Sequence, residues 1–222
     1  MLGDLWSFQG RYRTLHLTWI AFFLTFVVWF NLAPLATTVK ADLGLTVGQI
    51  RTVAICNVAL TIPARVLIGM LLDKFGPRIT YSSILVFSAI PCLLFASAQD
   101  FNQLVVARLL LSIVGAGFVI GIRMVAEWFP PKEIGLAEGI YGGWGNFGSA
   151  FSALTMVALA GFLSFSGGFE LPTGAVLNWR GAISLTGIVS AVYGLFYFFN
   201  APDPPPGKTY QRPEKTAGLE VT

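Results

Sequence analysis

Six apolar runs, at roughly 15–38, 48–73, 79–98, 103–129, 134–163 and 177–199, divide almost the whole chain between them. Each reaches or exceeds the ~20 residues that an α-helix needs to cross the hydrocarbon core of a bilayer. The turns between most of them are short: KADLGLT, KFGPR, AQDFN and PPKE. Charged residues make up 11% of the 222, against about 25% in an ordinary soluble domain. These features predict an all-α membrane protein built as a six-transmembrane-helix bundle over 15–200. A short N-terminus (1–14) precedes the bundle and a Pro-rich linker or tail (201–222) follows it. The first run is longer than the apolar region of a cleavable signal peptide, so it counts as a span. A longer loop, SFSGGFELPTGAV, separates spans five and six.

Basic residues set the orientation. Arg11, Arg13, Lys74, Arg78, Lys132, Lys208, Arg212 and Lys215 collect on one side, and Lys40, Arg51 and Arg180 on the other. Both termini are therefore expected in the cytoplasm, with the bundle in the plasma (inner) membrane. A net charge of +3 with no basic face argues against nucleic acid. Cys56 and Cys92 lie in apolar runs and are expected as free thiols, and His16 has no second ligand nearby for a metal. No metal cluster, nucleophile–base pair or phosphate loop suggests an enzyme, and no cofactor is expected.

Charged side chains inside spans are costly and usually functional. Arg65 lies eight residues before Asp73, about 12 Å from the helix end, with no acid within one turn. A structural ion pair with another helix and an anion-binding cation both remain open for it. Arg108, early in span four, is placed to snorkel outward, in a structural or a functional role. Arg123 and Glu127 have the four-residue spacing of a helical ion pair. Glu138, near the start of span five, reads as a solvated or paired acid, with proton relay as the alternative.

Span five carries GGWGNFGSA, residues 142–150. At about 100° per residue, Gly135, Gly139, Gly142, Gly143, Ser149, Ala150 and Ala153 all fall within about 60° of Asn146, while Trp144 lies on the opposite face. Gly135, Gly139 and Gly143 form overlapping G-x-x-x-G spacings, which suit close helix packing. On spacing alone, packing is the expected role of this stripe, with Asn146 bonded to a neighbouring helix, and a binding site is the alternative.

Two motifs carry a resemblance to a known family. GMLLDKFGPR, with Gly69, Asp73, Lys74, Gly76 and Arg78, resembles the signature loop between helices two and three of the major facilitator superfamily. ARLLLSIVGAG, with Arg108 and Gly115, is similar to that superfamily's fourth-helix motif. The resemblance implies that the loop is a gating motif and that the six spans are the N-terminal half of a twelve-helix fold. Within the superfamily, GGWGNFG resembles the fifth-helix signature of the nitrate/nitrite porters. That implies a nitrate/nitrite transporter working by alternating access, with Arg65, Gly142 and Asn146 binding the planar anion and Phe118 stacking on it. It also implies a second six-helix half, which this chain lacks. The alternatives are a carrier of another small anion and a non-transporting six-helix interaction protein. Direction and coupling stay open, with Glu127 and Glu138 as titratable candidates.

Overall fold

A computed structural model describes residues 7–202. Residues 1–6 and 203–222, with Lys208, Arg212, Lys215 and most of the expected tail, lie outside the described residues.

The first pass is α1 (Gly10–Phe30), a 3₁₀ turn at Ala33–Leu35 and α2 (Ala36–Asp42). Pro34 has no N–H to give the helical ladder, so the regular helix is interrupted there. α3 (Val47–Ala59) opens on a capping box in which Thr46 and Gln49 satisfy each other's backbone N–H groups. α4 (Thr61–Phe87) follows directly and leads into α5 (Ala89–Ser97). The apolar stretch Val47–Ser97 has 51 residues, about 76 Å of helix and far more than one bilayer crossing. It is broken at Gly76, whose φ of 78° and ψ of 169° lie outside any helix. Thus five long apolar stretches make six passes. The fourth pass joins α6 (Phe101–Ser112) through a 3₁₀ segment, Ile113–Gly117, to α7 (Phe118–Trp128). α8 (Pro131–Phe162) is the fifth and α9 (Trp179–Asn200) the sixth.

Gly76 occupies a backbone region that is essentially closed to residues with a Cβ. A Cβ added there meets nothing within 4 Å, so the penalty is purely conformational. Gly76→Ala is expected to cost about 1–3 kcal/mol, measurable as a lower unfolding temperature in detergent; unchanged melting would refute it.

The passes pack through small residues and buried polar groups. α1 lies along α8, where Phe22 stacks on Tyr141 (4.9 Å between ring centroids) and Phe23 meets Phe151 (5.2 Å). α9 rests on α4 and α5, with Gly194 against Leu85 and Gly187 against Cys92. At the centre, Arg108 is 1% exposed. It donates to Asn31 Oδ1 (3.0 Å) and to the Trp29 carbonyl (3.3 Å), and Asn31 Nδ2 donates to Thr186 Oγ1 (3.0 Å). Passes one, four and six are thereby tied together in a region where water cannot substitute for a lost partner.

Each end of the bundle is also clasped. At one end Arg11 pairs with Glu133 (2.9 Å) and Arg13 donates to the Asn200 carbonyl (3.2 Å). At the other, Trp179 Nε1 donates to Asp42 (2.8 Å), and Arg180 donates to the Ala96 and Ala98 carbonyls (2.7 Å each). The loop expected after span five is organised by a small antiparallel pair, β1 (Phe169–Glu170) with β2 (Val176–Leu177).

Candidate anion site and gating loop

The glycine-rich run lies wholly within α8. Its glycines divide between two faces. Gly145 and Gly148 are buried against α1: a Cβ on either would strike the Phe22 ring or the Phe23 carbonyl oxygen. Gly135, Gly139, Gly142 and Gly143 have nothing within 4 Å of where a Cβ would sit. The G-x-x-x-G stripe expected to pack therefore faces open space, and the packing glycines are the two that it left out. Beside the open glycines runs a groove of about 650 Å³, walled by Ile140, Trp144 and Phe147. Trp144 turns toward α1, with its ring 5.5 Å from Trp19.

Asn146 is exposed on the open side. Its amide donates to the Gly142 carbonyl one turn earlier (2.7 Å), which holds the side chain along the helix and leaves Oδ1 unengaged. Arg65, on α4, is also exposed, and among the described residues it takes part in no hydrogen bond, ion pair or ring contact. The structural ion pair left open for it is absent among these residues. Phe118 begins α7, part-buried, with its ring 6.2 Å from Tyr141 and nearly parallel to it, and 5.3 Å from Phe22. Tyr141 also donates to the Phe118 carbonyl (3.0 Å) and lies 3.3 Å from the Tyr81 hydroxyl. Gly142 and Asn146 are thus joined directly, whereas no hydrogen bond or ring contact links them to Arg65 or to Phe118.

The loop motif is a turn flanked by charge. Asp73 pairs with Arg123 (3.1 Å), which also holds Glu127 through Nε (2.7 Å). The spacing of Arg123 and Glu127 anticipated their pair. The Asp73 link between passes two and four has no local signature. Lys74 lies 5.1 Å from the centre of the Phe75 ring and Arg78 5.3 Å from that of Phe198. Gly69 has open space around its Cβ direction. Arg108 is corrected too. It neither snorkels nor meets a described carboxylate; it is buried with Nε unpaired, 5.2 Å over Phe95. Its partner Asn31 could have been suspected as the amide of an otherwise apolar stretch, FVVWFNLAPL.

Comparison with known proteins gives one consistent result. The profile of the Major Facilitator Superfamily matches residues 18–221. The nitrate/nitrite transporter NrtP of Picosynechococcus sp. is 61% identical over 100% of this chain and 44% of its own length. NrtP of Nostoc punctiforme is 59% identical over 100% of this chain and 43% of its own. A probable nitrate/nitrite antiporter, NarK1 of Thermus thermophilus, is 31% identical over 89% of the chain and 44% of its own length. The chain thus spans less than half the length of the curated relatives it matches. Among solved structures, an inward-facing, occupied bacterial homologue of the human lysosomal transporter Spinster superposes with a TM-score of 0.69. It is 21% identical and covers 90% of this chain and 46% of that one, which speaks for the fold alone.

Proposed function

The chain belongs to the Major Facilitator Superfamily, and from that membership we propose that it is the N-terminal six-helix half of a nitrate/nitrite transporter. The observation that carries the anion site is Arg65, a guanidinium inside a membrane span that no described residue neutralises or bonds. Such a cation is costly unless it serves a ligand. Its flat donor fork suits a planar oxyanion. The likeness to the two NrtP proteins narrows the anion to nitrate and nitrite.

In this reading Arg65 draws the anion into the space that the two halves enclose. Gly142 leaves room beside α8, Asn146 offers its amide, and the Phe118 ring closes one side. The second half covers the open face of α8 and completes the site. Asp73, Arg123 and Glu127, with Lys74, Gly76 and Arg78 in the turn, latch one end when the other is open. The chain moves its ligand without transforming it, so transport rather than catalysis is its activity. The end bearing Arg11, Arg13, Lys74, Arg78 and Lys132 is the cytoplasmic one, and the membrane is the plasma (inner) membrane.

The test is uptake of labelled nitrate into vesicles holding the chain with its complementary half. Nitrate and nitrite are expected to compete, and sulfate and carboxylates to leave uptake unchanged. Equal competition by carboxylates would favour a carrier of other small anions and overturn the assignment.

A further inference from the structure

Glu138 has no role in the site described above. It lies in the apolar stretch Pro131–Ser166 on α8, where its Oε1 is buried without a hydrogen-bond partner. No described residue donates to either oxygen. The ionisable groups on the elements packed around α8 are committed elsewhere. On α1, Arg11 is held by Glu133, and His16 accepts from Trp19. Tyr12 of α1 packs edge-on against Phe129. On α7, Arg123 is held by Asp73 and Glu127. On α9, Tyr193 donates to the Leu17 carbonyl and Tyr197 is bonded to Thr18. On α8 itself, Tyr141 donates to Phe118 and is bonded to Tyr81. An ionised carboxylate in a membrane span, with no counter-charge and no donor, is disfavoured against its neutral form.

Its position on the helix matters as much. Glu138, Gly142 and Asn146 follow one another at four-residue intervals, so they share a stripe of α8. The Asn146 amide already points back along that stripe to Gly142. Glu138 and Asn146 are about 12 Å apart along the axis. At an effective dielectric of about 20, a carboxylate at that distance weakens the binding of a monovalent anion about tenfold.

Resting on the anion site proposed above, we infer that Glu138 is a proton-carrying residue whose neutral form admits the anion. Glu138 takes up one proton from water at one membrane face and becomes a neutral carboxyl. The anion binds without its repulsion, and the proton leaves to water at the other face. Only an O–H bond is made and broken.

The experiment compares wild type, Glu138→Gln and Glu138→Asp, each joined to the complementary half in proteoliposomes. It reads the KM for nitrate from acidic to alkaline pH, the protons moved with nitrate, and nitrate self-exchange. In wild type, KM is expected to rise about tenfold as Glu138 ionises. Glu138→Gln keeps the low acidic KM throughout and retains self-exchange, but moves no proton with nitrate; Glu138→Asp restores part of the pH dependence. A wild-type pH profile in Glu138→Gln overturns the inference while leaving the anion site standing. So does loss of self-exchange at every pH that Glu138→Asp does not rescue, since that marks a structural role. No nitrate uptake by wild type overturns the anion site and this inference together.

Discussion

Arg65→Lys is expected to lower nitrate uptake about a hundredfold at limiting nitrate, even though it keeps the positive charge. A guanidinium can hold two oxygens of a planar anion at once, whereas an ammonium acts as a point charge on a flexible stem. Losing one charge-assisted hydrogen bond and the alignment it imposes costs about 3 kcal/mol, and each 1.4 kcal/mol is about a factor of ten. Arg65→Ala should do more damage, because the attraction itself is lost. Abundance and thermal unfolding should not change in either variant, since Arg65 is exposed and takes part in no hydrogen bond, ion pair or ring contact among the described residues. That separation makes the test sharp: a drop in uptake reports on the ligand, not on the fold. Undiminished uptake by Arg65→Lys would remove Arg65 from the substrate site.

The same isolation explains why Arg65 was legible in the sequence. A cation in an apolar run with no acid within a turn is a local anomaly, and among the described residues the fold gives it no hydrogen-bond, ion-pair or ring partner. The six passes were legible for a similar reason, since span length is fixed by bilayer thickness. The break between the second and third passes was legible in Gly76 and Pro77, both poor at continuing a helix. Contacts between passes were much less legible. Nothing near Arg108 in sequence announces Asn31, its partner 77 residues away. Periodicity sorts residues by angle around one helix, but it does not say which angles meet another helix. In α8 the angles alone favoured packing for the face that the structure leaves open. The smooth stripe at Gly135, Gly139 and Gly143 has the spacing of a packing face, whereas the family signature assigns that face to the ligand, and in the structure it is open. The true contact runs through Gly145 and Gly148, whose neighbours Phe22 and Phe23 lie more than a hundred residues earlier. Only three-dimensional pairing distinguishes two glycine faces of one helix.

Those two faces give the second large effect. Gly148→Ala is expected to destabilise the bundle by about 3 kcal/mol, at the upper end of ordinary overpacking costs. The reason is what the new methyl would meet. At Gly145 the obstacle is the Phe22 side chain, which has rotamers to escape into. At Gly148 it is the Phe23 carbonyl oxygen, with its carbon close behind, so the backbone of α1 itself must move. Moving α1 separates Phe23 from Phe151 and Phe22 from Tyr141 along the same interface. Gly143→Ala, on the open side of the same helix, should leave the fold intact. It also removes a helix-weakening glycine, a gain of up to about 1 kcal/mol. Thermal unfolding of the two variants in detergent decides the matter. Equal loss in both would mean that the open face packs within this chain after all. Loss in Gly148→Ala alone assigns one glycine face to building the half-bundle and leaves the other, with Gly142 and Asn146, clear for what binds there.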